Sequence, residues 1–125
     1  AKGEALPAAI TIGIHPIHYM GSMAYHYPPN VSKYEIIGAL FGESYKVATC
    51  KTNDLSIPAG AEIVIEGEIL ADTHEPEGPF GEFTGYASYR STENVFVAKR
   101  VQMRSDAIFH SVASGTAGDH ILVSS

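Results

Sequence analysis

Residues 62–70 read Glu62-Ile63-Val64-Ile65-Glu66-Gly67-Glu68-Ile69-Leu70, and this run decides the fold class. Apolar and acidic residues alternate through it with the period of two that places successive side chains on opposite faces of a strand. The reading puts Ile63, Ile65 and Ile69 inward and Glu62, Glu66 and Glu68 toward solvent. Working outward, residues 82–90 and 94–103 suit a hairpin turned at Ser91-Thr92-Glu93. Residues 45–52 alternate well enough for a strand, residues 8–14 form a β-branched run bounded by Pro7 and Pro16, and residues 108–113 supply a last strand. Residues 15–30 read as irregular. One short helix is expected, capped by Asn30 or Ser32, with Tyr34, Ile37 and Phe41 on one face and Gly42 as its stop. Six or seven strands with one helix indicate a mainly β fold of Greek-key barrel or sandwich type, and pattern alone does not separate the two.

Composition bounds the rest. The chain has 125 residues, enough for one domain with a modest core. Seven Pro and twelve Gly favour short strands and turns over long helices. A net charge of −6 with no basic stripe argues against nucleic acid or an anionic membrane as partner. The single Cys, Cys50, excludes an internal disulfide and reads as a buried thiol. No apolar run is long enough to span a bilayer, and a cytoplasmic location is expected. His15, His18 and His26 lack the spacing of a zinc site, and no His-based metal centre is expected.

The chemistry concentrates in residues 75–86, Glu75-Pro76-Glu77-Gly78-Pro79-Phe80-Gly81-Glu82-Phe83-Thr84-Gly85-Tyr86. Three carboxylates share a loop with Phe80, Phe83 and Tyr86, side chains large enough to exclude water. A carboxylate against apolar walls, or beside a second one, holds a proton nearer neutral pH and can pass it on. An acidic turn between strands is the plainer reading of the same residues.

This segment resembles the signature of the UbiD family, reversible non-oxidative decarboxylases that use prenylated flavin mononucleotide. Further blocks agree in order: residues 6–13, His15-Pro16, residues 37–42, Cys50-Lys51-Thr52-Asn53-Asp54-Leu55, Ile57-Pro58-Ala59 and residues 61–68. The resemblance implies a split β-barrel of the flavin-reductase-like type, and a substrate that is an aromatic or α,β-unsaturated carboxylic acid. It implies that Glu82 is the proton donor and Glu77 its partner, with no role for Glu75. It places Gly21, Ser22 and Met23 beside the cofactor phosphate. It also implies a divalent metal and potassium in the intact enzyme. Position 33 departs from the pattern, because Lys33 stands where the family carries a Glu that ligates the divalent cation. An ammonium cannot ligate a cation. Either Lys33 binds the phosphate directly, or Glu35 substitutes, or cofactor binding has been lost.

Family members are several times longer. By the resemblance, the catalytic Arg and two metal ligands lie upstream, and a C-terminal domain drives homo-oligomer formation. The chain therefore reads as one domain, residues 1–125, the middle of a decarboxylase whose remaining parts are its partners. A non-catalytic barrel module of a degenerate homologue is the alternative.

Overall fold

A computed structural model describes residues 3–24, 26–81, 86–88 and 93–111. The order is β1 (Leu6–Ile12), α1 (Pro16–Ser22), α2 (Lys33–Phe41), β2 (Val47–Thr49), β3 (Ser56–Pro58), β4 (Ile63–His74), β5 (Phe80–Gly81), β6 (Ala87–Ser88) and β7 (Asn94–Met103). β4 is the spine. It pairs antiparallel with β1 on one side and β7 on the other, with a register shift at Glu66/Gly67. β2 with β3, and β5 with β6, make two short antiparallel pairs. The fold is mainly β with two helices, and among the described residues the sheets do not close into a barrel. No described helix is long and apolar enough to cross a membrane.

The strands at residues 62–70 and 94–103 form as expected. Most of 82–90 and the turn at Ser91-Thr92 lie outside the described residues. Residues 108–111 are coil, not strand, and 112–113 also lie outside that set. The irregular stretch contains the helix that strand patterning missed. His15 is its N-cap, accepting through Nδ1 from the Ile17 N–H at 3.2 Å, and Pro16 occupies the first turn. Proline suits that position because it has no N–H to lose there.

α2 begins at Ser32, whose side chain accepts from the Glu35 N–H while the Glu35 carboxylate accepts from the Ser32 N–H. This capping box satisfies two donors that the first turn leaves orphaned. Gly42 ends the helix at φ 74°, a left-handed conformation glycine adopts without Cβ strain.

The expected facing of β4 is reversed. Val64 and Glu66 point into the core, and Glu66 has no exposed surface at all. The core joins Ile14, Cys50, Ile57, Ala61 and Val64, with Ala9 and Tyr19 against it. The buried thiol of Cys50 is as expected. Ile63, Ile65 and Ile69 lie on the opposite face, in register with Ile12, Ile10 and Leu6 of β1 and with Met103, Val101 and Phe96 of β7. That face is aliphatic yet incompletely covered: Leu6 is 58%, Val101 61% and Met103 66% exposed.

The burial of Glu66 has a clear cause. Its carboxylate accepts from the Lys51 N–H (2.9 Å to each oxygen), the Thr52 N–H (2.7 Å) and Thr52 Oγ1 (2.6 Å), and Gln102 Nε2 also donates to it. Burial pushes the carboxyl upward. The donors from Lys51 and Thr52, with the charge of Arg100, more than reverse this and hold it below its ordinary value. A fully satisfied carboxylate is tolerated where an unpaired one is not.

Candidate functional site

Four residues singled out from sequence come together where α1 meets α2. Gly21 is buried, and a Cβ built on it would collide with Cγ1 of Ile37, itself 1% exposed. Glycine is therefore required here for close helix packing, which the reading of this segment as a cofactor wall did not anticipate. Gly21→Ala should lower stability by about 1–3 kcal/mol, the usual cost of overpacking. Urea unfolding would measure it, and Gly21→Ala combined with Ile37→Val should recover part of the loss.

Ser22 Oγ donates to the Tyr19 carbonyl at 2.8 Å, and Met23 follows as the C-cap, 48% exposed. Lys33, in the first turn of α2, donates from Nζ to the Ser22 carbonyl. The same Nζ stands 5.9 Å from the centre of the Tyr27 ring. A cation beside the last carbonyls of α1 also meets the negative end of that short helix. The corner thus brings together a buried glycine, a half-buried serine and one held ammonium.

An aromatic cluster lies at the same α1–α2 contact, where His18 meets Tyr34 and Tyr45. The His18 and Tyr45 rings lie 5.5 Å apart, and Tyr45 stacks on Tyr34 at 5.9 Å. Burial pushes His18 below its ordinary value, and it pushes the Tyr45 phenol up, with the nearby Tyr34 adding to that rise. The neutral pair is therefore favoured, with His18 Nδ1 and the Tyr45 hydroxyl sharing a hydrogen bond of 2.8 Å. The sign for stability follows from the lowered His18 value. Unfolded His18 takes up a proton near 6.5 while folded His18 resists it. Stability should therefore decline as pH falls below about 6.5, until the folded value is passed. Thermal midpoints across pH 7.5 to 5, with His18→Phe flattening that limb, would check this (pH range chosen to bracket the ordinary value, about 6.5).

Two open clefts of about 350 and 440 Å³ share Glu43, Ser44 and Tyr45. The first is walled by Ile14, His15, Phe41 and Ala59. Neither is lined by Gly21, Ser22, Met23, Lys33 or Glu77.

The acidic loop is only partly described. Glu75 and Glu77 are exposed between β4 and β5, and the Gly78–Pro79 peptide is cis. Phe80 is half-buried, but Tyr86 is 78% exposed. The apolar wall expected from Tyr86 is therefore not built by the described residues. Glu82, with Phe83, lies outside them.

The residues fit an anionic phosphate better than a metal. Lys33 supplies a positive donor where the resemblance requires a carboxylate, and the Glu35 carboxylate is engaged by the Ser32 N–H at 2.6 Å. Among the described residues no three His, Cys, Asp or Glu side chains gather closely enough to hold an ion.

Comparison with known proteins agrees with the sequence motifs. The profile of the 3-octaprenyl-4-hydroxybenzoate carboxy-lyase Rift-related domain, UbiD, matches residues 1–117. The UbiD-class enzyme HmfF from Pelotomaculum thermopropionicum, solved with FMN, is 35% identical with a TM-score of 0.87, covering 98% of this chain and 27% of that one. An evolved dimeric form of that enzyme, solved with prFMN, gives the same identity and TM-score, with 98% and 28% covered. Vanillic acid decarboxylase of Sedimentibacter hydroxybenzoicus, in open form, is 36% identical with a TM-score of 0.80, over 92% of this chain and 25% of that one. The chain belongs to the UbiD family. It spans about a quarter of the length of these structures, between 25% and 28%.

Proposed function

We propose that this chain is the cofactor-facing middle domain of a reversible, non-oxidative decarboxylase acting on aromatic or α,β-unsaturated carboxylic acids. The observation that carries the reading is the 35% identity over 98% of the chain to an enzyme solved with FMN and with prFMN. Loss of carbon dioxide from such an acid leaves an electron pair on carbon that no side chain here can accommodate. Prenylated flavin mononucleotide, when bound, supplies the electron sink.

The chain's own residues then have two tasks. Gly21, Ser22, Met23 and Lys33 form the corner that receives the cofactor's phosphate, with Lys33 as the charged donor. Glu82 holds a proton and delivers it to the substrate carbon once carbon dioxide has left, and Glu77 is its partner. An Arg from the rest of the parent polypeptide completes the charge network beside these acids. The aliphatic face of the β1–β4–β7 sheet is the inner wall of a split barrel, which accounts for apolar side chains on both faces of β4. The parent assembles as a homo-oligomer in the cytoplasm.

Lys33 and the exposed Glu77 favour a second reading, in which the chain is a non-catalytic barrel module of a homologue that has lost the cofactor. The two readings separate on a simple comparison. Full-length protein produced in cells that make prenylated flavin should decarboxylate one or more aromatic acids, whereas residues 1–125 alone, given the same cofactor, should not. The shorter piece lacks the Arg and cannot preorganise the site. Turnover by residues 1–125 alone would refute the division of labour, and an inert full-length protein would favour the module.

A further inference from the structure

We infer that Lys33 takes the place of a divalent cation in neutralising the flavin phosphate, so that flavin binding by this protein is independent of metal. The inference rests on the flavin reading above and specifies how that site achieves charge balance. Three observations carry it.

The first is chemical. An ammonium has three donors and no lone pair, so it repels a cation and attracts a phosphate monoester. The second is geometric. Lys33 is half-buried, and its Nζ is fastened to the Ser22 carbonyl, the residue flanked by Gly21 and Met23. The charge is thereby held at the end of α1, beside Ser22, and it does not trail into solvent. The third concerns Glu35, the nearest carboxylate along α2. Its Oε2 accepts from the Ser32 N–H at 2.6 Å, while Ser32 Oγ accepts from the Glu35 N–H at 3.2 Å. Turning Glu35 away toward a metal would give up the Ser32 N–H half of the capping box that starts α2.

The test is binding of flavin mononucleotide to the full-length protein, followed by quenching of flavin fluorescence, with EDTA or with added Mn²⁺. Wild-type affinity should be the same in both, within about twofold. Lys33→Gln should weaken binding by about tenfold to a hundredfold, the usual worth of a hydrogen bond to a charged group, and Mn²⁺ should not restore it. Lys33→Arg should retain most of the affinity, and circular dichroism of all three proteins shows whether α2 survives the substitution. Loss of wild-type binding in EDTA with recovery in Mn²⁺ would overturn the inference and leave the flavin reading intact. Unchanged binding in a folded Lys33→Gln protein would overturn it as well. No binding under either condition would remove the flavin reading and this inference with it.

Discussion

Glu82→Gln in the full-length protein is expected to reduce turnover by on the order of a hundredfold or more, the usual contribution of a single general acid. The amide keeps the size of the side chain and its capacity to hydrogen-bond, but it has no proton to give at neutral pH. Flavin binding should therefore be retained while proton delivery to carbon fails. Exchange of the product's ring or vinyl hydrogen in deuterated water should fall in step, because exchange runs the same proton transfer in reverse. Glu75→Gln is the internal control. It lies in the same loop, its backbone N–H donating to the Glu93 carbonyl at 3.0 Å, and its side chain is exposed. It should change turnover little. A harmless Glu82→Gln beside a crippling Glu75→Gln would mean that the acids have other roles.

The second large effect concerns architecture. Glu66→Ala should lower the thermal midpoint by roughly 10 °C or more for a chain of this size. It strands the Lys51 and Thr52 N–H groups, the Thr52 hydroxyl and the Gln102 amide, all of which donate to the carboxylate. Glu66→Gln should do less harm because one acceptor oxygen remains. The carboxyl sits below its ordinary value of 4.5, so its stabilising contribution is complete above that pH. The contribution is lost as pH falls through the lower folded value. Glu66→Gln should accordingly flatten the acid limb of the stability profile. A wild-type midpoint in Glu66→Ala would show that this cluster does not hold the loop after Cys50 to the sheet.

Glu66 also shows where sequence pattern stops being sufficient. Alternation locates β4 and β7 correctly, and the face of Tyr34, Ile37 and Phe41 with Gly42 after it locates α2, whose cap is Ser32 of the two candidates Asn30 and Ser32. The same alternation assigned the acids of β4 to solvent, because acids usually face water. The donors that overturn this assignment are at Lys51, Thr52 and Gln102, residues 14 to 36 positions away in sequence, and no local pattern records them. The three isoleucines were apolar as expected but belong to the other face, so alternation gave the strand and not its inside. α1 escapes local patterning because its His, Tyr, Met and Gly residues show no clean helical stripe. Its signal was present at Pro16, preceded by a residue able to cap.

The site was legible in a different way. The proximity of Gly21, Ser22, Met23 and Lys33 depends on two helices folding back on each other, and local pattern does not contain it. The motif resemblance supplied those residues, and the Lys33–Ser22 contact brings them to one place. Gly21 shows that such a residue can have a packing reason of its own, since Ile37 leaves no room for a side chain.

The central claim is that this domain serves a prenylated-flavin decarboxylase, and the most direct measurement is the identity of the bound cofactor. Full-length protein purified from cells that make prenylated flavin should be denatured and the released small molecule weighed by mass spectrometry. The account predicts prenylated flavin mononucleotide in near-stoichiometric amount. A folded protein that releases no flavin from such cells would contradict it.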